Sequence, residues 1–454
     1  MKILIVVHTF FPKYLGGTEV CVSELSSRFQ KKGDQVKILT TDPLSDSNTY
    51  QSTISTHNNI EVVTINKDIR KYSSFKETYK DDKTLKSFRN IIKEFQPDVI
   101  HYHHLMHLSL DYIKIAKDKN IPQVVTLHDF WFQCLTHQRV TTSGKLCQSF
   151  DSKKCTKCLS DILNAGPIVN TTFSLNGFIN DHHKIEYLKN ISNKLISRLQ
   201  GKILYQTNLS KYQKLVLDRN DLIKKSLSQV DLVIYPTKFL ANEFKKWGLK
   251  TKTEITSSDG INTLLFKDFK RNKSNTIRFG YIGSIIPNKG LDMVLKAWPK
   301  LVSGSYNLKI YGNLLTDKKY SSYIQNLSKG LKNIEFCGNF PFKDISKIYS
   351  NIDVLIVPSR WFENAPLVLR NALQTGTSVI ATNLGSMPEL IKHNVNGFLY
   401  ENENVNDLAK LMNHVIKNKA ILMRMENEAI PQKSIEDNAN ELLTYYKKLN
   451  KNDK

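Results

Sequence analysis

Twice along this chain, short runs of β-branched and aromatic residues alternate with segments of helical periodicity, and no other feature restricts the fold as much. Strands separated by helices pair in parallel, and a parallel sheet needs helices over both of its faces. The expected fold class is therefore α/β. In the first series Ile3 to His8 reads as a strand, followed by a loop with Gly16 and Gly17. Thr18 is a helix N-cap by residue type, Val22, Leu25 and Phe29 recur at helical spacing, and Gly33 follows the last turn. Val36 to Thr40, Asp98 to Tyr102 and Val124 to Leu127 read as further strands. The second series has strands at Ile277 to Ile282, Leu308 to Tyr311, Ile334 to Cys337, Val354 to Val357 and Ser378 to Ala381.

A chain of 454 residues accommodates both series as separate Rossmann-like domains. The first is expected over 1–268, with a cysteine cluster and a Lys-rich helical insertion at about 134–228, where Leu188, Ile191, Leu195 and Leu199 share a face. A polar linker around Lys267 to Asn275 leads to the second, over 276–432, and 433–454 reads as a terminal helix. No apolar run approaches the ~18 residues of a membrane-spanning helix, and the apolar N-terminus runs into a Gly-rich loop instead of a cleavage site, so a cytoplasmic protein is expected. The net charge of +23 attracts nucleotide-sugars, anionic lipid and nucleic acid alike. The basic residues are scattered and no nucleic-acid module is recognisable, so nucleic acid is not an expected partner. Neither half has the Gly-x-Gly-x-x-Gly turn of a dinucleotide oxidoreductase.

In open parallel sheets ligands bind beyond the carboxyl ends of the strands, and four such places carry chemistry. Gly16 and Gly17 precede a helix whose amides and dipole suit an anion, although a plain strand-to-helix turn accounts for them too. Gly283 and Ser284 open a loop that ends at Lys289. A cation where a helix begins opposes the macrodipole, and a nucleotide diphosphate would resolve the conflict; a solvated surface lysine is the other reading. In Pro358 to Val368, Pro366 suits a first helical turn and Asn364 or Ala365 a cap, which leaves the amides of Leu367 and Val368 for an anion. Glu363 stands just ahead, where it can accept hydrogen bonds from sugar hydroxyls or simply favour the dipole. His128 and Asp129 follow a strand, and the imidazole can donate to a sugar hydroxyl or to phosphate charge.

Together these segments resemble glycosyltransferase family 4. The resemblance rests on Gly16-Gly17-Thr18-Glu19, His128 to Trp131, Asp259 to Asn262, Gly283 to Gly290, Glu363 to Ala372, Gly385 to Glu389 and Gly397, in that order and spacing. It implies the GT-B fold, with two Rossmann-like domains facing each other across a cleft and the terminal helix crossing back to the first. It implies a UDP- or GDP-linked sugar donor, no metal required for catalysis, and retention of anomeric configuration. Carried over by position, Lys289 would hold the diphosphate, Glu363 the transferred sugar and His128 a sugar hydroxyl. Two positions depart from the family pattern. Asn371 stands where a carboxylate usually binds the nucleotide ribose, and Ser284 where an arginine often follows the glycine, so phosphate binding would lean on Lys289 or Arg360. Asn371 keeps a second reading open, a degenerate relative that binds a nucleotide-sugar or a partner without turnover. By family analogy and charge, the acceptor is expected to be a glycan or lipid-linked intermediate of surface polysaccharide synthesis, met at an anionic membrane.

Cys134, Cys147, Cys155 and Cys158 crowd together with one Cys-x2-Cys pair. In a cytosolic chain such a set suits a structural zinc with tetrahedral thiolate ligands, His137 being a spare; free thiols are the other reading.

Overall fold

A computed structural model describes residues 1–47, 49–164, 197–428 and 430–452. Leu188, Ile191, Leu195 and the side chain of Leu199 lie outside what it describes. The chain divides into two compact units. One comprises Met1–Pro236, Ala241–Ser257 and Ala439–Lys454, the other Thr237–Leu240 and Ser258–Asn438.

The first unit holds β1 (Lys2–Val6), α1 (Gly17–Lys31), β2 (Gln35–Asp42), β3 (Ser52–His57), β4 (Ile60–Asn66), α2 (Leu85–Phe95), β5 (Val99–Tyr102) and α3 (Asp111–Lys117). β6 (Gln123–Thr126), α4 (Ser152–Asn164), α5 (Ser197–Leu227), β7 (Leu232–Tyr235) and β8 (Glu254–Thr256) complete it, with α6 (Lys238–Lys246) beginning in the second unit. Its sheet has the order β3-β4-β2-β1-β5-β6-β7-β8. Ile3, Leu4, Ile5 and Val6 are all fully buried, as a strand covered on both faces requires. β1 lies between β2 and β5, and β6 pairs with β5, so the loops after β1, β5 and β6 emerge side by side at one end of the sheet.

The second unit holds β9 (Ile277–Ile282), α7 (Leu291–Ala297), β10 (Tyr306–Tyr311), α8 (Lys318–Ser328), β11 (Ile334–Gly338), α9 (Ile345–Tyr349), β12 (Val354–Val357) and α10 (Leu367–Gln374). β13 (Ser378–Thr382), α11 (Met387–Leu390), β14 (Gly397–Tyr400), α12 (Val405–Lys417) and α13 (Ala420–Asn427) follow, then α14 (Ile435–Asn452), which begins here but belongs to the first unit from Ala439 onward. The strands pair in parallel in the order β11-β10-β9-β12-β13-β14. Period-two alternation divides the core: Val354 and Ile356 pack with α7 and α12, Leu355 and Val357 with α9 and α10.

Three local expectations are corrected. The N-cap of α1 is Gly16, extended at φ −130 and ψ 179, and no side chain caps the helix, so Thr18 already lies within it. α10 starts after Pro366, whose ψ of 117 keeps it outside the helix, so neither Asn364 nor Ala365 is the cap. The polar stretch Lys267 to Asn275 is built into the second unit. Arg271 donates to the carbonyls of Tyr349, Ile352 and Thr375, to Thr377 and to the Glu426 carboxylate. The sequence also gave no warning of the antiparallel β3–β4 hairpin at the sheet edge.

Candidate active site

In the second unit, the loop after β9 and the loop after β12 are locked together. Gly290 opens α7 at φ 69, and a Cβ there would lie 2.0 Å from the Pro358 carbonyl oxygen, so only glycine permits this approach. The Arg360 amide donates to the Asn288 carbonyl at 2.9 Å, a second tie. These ties bring Lys289 to the end of β12. Its ammonium lies 2.5 Å from Glu363 Oε1 and 4.9 Å from the centre of the Trp361 ring.

Glu363 is 7% exposed, and three donors converge on one of its oxygens. Ser359 Oγ and Trp361 Nε1 each donate to Oε1 at 2.7 Å, alongside Lys289. Oε2 makes no hydrogen bond with any described residue. The Glu363 carbonyl accepts from the amide and hydroxyl of Ser386 at 3.0 and 2.8 Å. Gly385 makes that possible, since a Cβ on it would come within 2.7 Å of the same carbonyl. A carboxylate so held is an acceptor of fixed direction beside a half-buried cation.

Just beyond, the Leu367 and Val368 amides precede the first intrahelical bonds of α10, and neither donates to a described residue. Asn371 lies on the same helix, 3% exposed, its side-chain amide without a described partner. Arg360 does not join this group. Its guanidinium donates to Asp292 at 2.8 Å, and Asp292 also takes Lys296 and the Tyr320 hydroxyl at 2.8 Å each. Burial opposes ionisation of both, but the pairing wins: the Asp292 carboxyl is lowered and Arg360 is raised. The guanidinium considered for a phosphate is thus engaged with Asp292. Ser284 is exposed, and its carbonyl accepts from the Tyr281 hydroxyl; Gly283 adjoins Gly312, where a Cβ would strike the Gly283 carbonyl oxygen at 2.2 Å.

In the first unit, His8, His103, His104 and His128 gather where β1, β5 and β6 end. His103 Nδ1 and His128 Nε2 are 2.8 Å apart, and His104 Nε2 lies 3.4 Å from Asp129 Oδ2. His137 Nδ1 lies 3.8 Å from the same carboxylate. Burial lowers the pKa of His8, His103, His107 and His137, so these rings are neutral near pH 7. Burial works to raise Asp129, but His104, His137 and the Trp131 amide together hold it below the ordinary carboxylate range. Sequence reasoning found only His128 and Asp129. The signal for the rest was the run His101-Tyr102-His103-His104, whose alternation carries imidazoles past a strand end. Arg219, fully buried between the Tyr79 and Trp131 rings, donates to the Trp131 carbonyl and so fixes α5 to the loop after His128.

Gly16 and Gly17 do open a helix, but the chain supplies an anion there. A Cβ on Gly16 would lie 2.5 Å from Glu19 Oε2, and Thr9 Oγ1 donates to Glu19 Oε1 at 2.6 Å. A phosphate at this end would meet a carboxylate, which disfavours the donor contact read from the two glycines.

Cys147, Cys155 and Cys158 each lie close enough to Cys134 to feel its charge. Among the described residues no three His, Cys, Asp or Glu side chains are placed to hold an ion, and Cys134, Cys147, Cys155 and Cys158 are free thiols. Cys134 Sγ lies 3.3 Å from Thr136 Oγ1, and Cys147 donates to the Ser149 carbonyl at 3.2 Å. Burial pushes the Cys155 thiol up to about 12 and raises Cys147 and Cys158 as well.

Comparison with known proteins matches residues 15–155 to the family model described as Glycosyltransferase Family 4, and residues 265–432 to the one described as Glycosyl transferases group 1. An uncharacterized glycosyltransferase of Haemophilus influenzae is 31% identical over 40% of this chain and 52% of its own length. One from Methanocaldococcus jannaschii is 27% identical over 44% of this chain and 53% of its own. The chain thus spans about half the length of these curated relatives. A glycogen synthase of Thermodesulfovibrio yellowstonii is 24% identical over 70% of the chain and 67% of its length. Among solved structures, sucrose-phosphate synthase from Thermosynechococcus elongatus superposes with a TM-score of 0.67 at 14% identity, over 99% of this chain and 98% of that one. Anabaena HepE, solved in complex with UDP, does so with a TM-score of 0.61 at 14% identity, over 98% of this chain and 99% of that one. At such identities the likeness shows the fold alone.

Proposed function

The chain belongs to glycosyltransferase family 4, with the GT-B fold, and from that premise we propose that it transfers a hexose-type sugar from a nucleotide-sugar to a glycan or lipid-linked acceptor. The transfer retains anomeric configuration and requires no metal. The observation that carries this reading is the convergence on Glu363 Oε1 of Lys289, Ser359 and Trp361, which leaves Oε2 to accept from sugar hydroxyls. Lys289 and the Leu367 and Val368 amides bind the diphosphate and stabilise it as it leaves. Asn371 replaces the ribose-binding carboxylate with a neutral amide, and His128 contributes an N–H to a sugar hydroxyl. The Anabaena neighbour was solved with UDP-glucose as well as UDP, which makes uridine nucleotides the first donors to try.

The test is a screen of nucleotide-sugars for hydrolysis and for protection against thermal unfolding, with Glu363→Ala as control. One donor is expected to be hydrolysed by the wild type and not by the variant; if no nucleotide-sugar binds, the reading fails. Asn371 favours a second reading, binding without turnover, which predicts protection with no hydrolysis of any donor. No described helix is long and apolar enough to cross a membrane. The charge of +23 supports a peripheral approach to an anionic surface where a lipid-linked acceptor resides. Flotation with phosphatidylglycerol vesicles, lost at high salt, is the expected result.

A further inference from the structure

Two imidazoles meet at the ends of adjacent strands in the first unit. His103 follows β5 and His128 follows β6, and their rings lie 5.1 Å apart at 17°. The bond between His103 Nδ1 and His128 Nε2, at 2.8 Å, needs one N–H and one lone pair, so the proton position on one ring dictates that on the other. His103 has little freedom. Its amide donates to the Val6 carbonyl at 2.8 Å, and its ring packs 4.1 Å from that of His101, itself held by the Thr126 and Tyr446 hydroxyls.

His103 is 1% exposed, and its Nε2 has no hydrogen-bond partner among the described residues. Burial, with His101 and His128 beside it, lowers its pKa well below the ordinary value, so the ring is neutral and carries one proton. If His128 were the donor, that proton would sit on His103 Nε2 as a buried N–H without an acceptor, a rare arrangement in folded proteins. With the proton on Nδ1, His103 donates to His128 Nε2 and leaves only a lone pair unanswered.

We propose that His103 is a positioning residue that, wherever His128 carries a single proton, fixes that proton on Nδ1, so that His128 meets substrate as a donor through Nδ1. The functional half rests on the assignment of His128 to a sugar hydroxyl made above. The tautomer half stands on the contact itself.

The experiment is long-range proton–nitrogen correlation NMR on the full chain labelled with nitrogen-15 histidine, with the His128 signals assigned by their loss in His128→Ala. The wild type is expected to show His128 protonated at Nδ1; protonation at Nε2 overturns the proposal without any His103 variant having to fold. His103→Asn keeps a side-chain N–H close to where Nδ1 stood and is expected to keep the tautomer. His103→Asp offers only an acceptor and is expected to move the proton to His128 Nε2. Identical His128 spectra in the Asn and Asp variants also overturn it. Full transfer activity in His128→Ala, with the Nδ1–H tautomer seen in the wild type, confirms the tautomer and overturns the role of His128, which keeps the two failures apart.

Discussion

At the scale of single residues, the two oxygens of Glu363 have different work. Oε1 is taken by Lys289, Ser359 and Trp361, and these bonds hold the plane of the carboxylate and leave Oε2 without a bond to a described residue. Trp361→Phe keeps the ring over Lys289 and removes one N–H from a charged acceptor. A bond of that kind is worth about 1.5–3 kcal/mol, so kcat/KM is expected to fall by one to two orders of magnitude, with a change in melting temperature too small to explain it. Asn371→Glu places on this helix the carboxylate that the family resemblance leads one to expect there. Steady-state kinetics are expected to give a donor KM several-fold lower with kcat little changed, and an unaltered KM removes Asn371 from the ribose site. Lys289 was legible from sequence for a reason the structure modifies. The conflict between a cation and a helix start is answered within the chain by Glu363, before any ligand arrives.

At the scale of elements, the site depends on two loops that approach too closely for any side chain between them. Gly290→Ala places a methyl group against the Pro358 carbonyl and forces a left-handed φ on a residue that resists it. A loss of about 1–3 kcal/mol is expected from urea unfolding, together with weaker nucleotide protection as Lys289 shifts. The strands at β1, β9, β12 and β13 were legible because buried parallel strands read as continuous apolar runs flanked by turns. The β3–β4 hairpin was not: Ser52–His57 is almost wholly exposed and polar, and an edge strand with no core face carries no periodicity. The end of Pro366's helical influence was missed for another reason, since proline fixes φ but leaves ψ to the surrounding packing. The histidine cluster escaped because imidazoles read as isolated residues until the strand order shows that three loops emerge together.

At the scale of the whole molecule, several neutral histidines make folding sensitive to acid. His8, His103, His107 and His137 have pKa values lowered in the folded state, chiefly by burial. As pH falls through the unfolded value of about 6.5, the unfolded chain takes up protons that the folded chain refuses, so stability falls with pH by up to ~1.4 kcal/mol per unit for each such group. Urea midpoints measured from about pH 7 down to pH 5 are expected to drop, and His103→Gln should flatten the slope; Asp129, already ionised, titrates below this window. The stretch Lys267 to Asn275 offers a last consequence, for proteolysis. It is rich in trypsin sites and polar enough to pass for an exposed tether, yet Arg271 is bonded to five separate positions, and Asn272 donates its amide to the Ser350 carbonyl while its own carbonyl accepts from Arg278. A protease must draw several residues into its cleft, which here means opening the second unit first. Limited trypsin digestion should therefore cut this chain elsewhere before it separates the two halves.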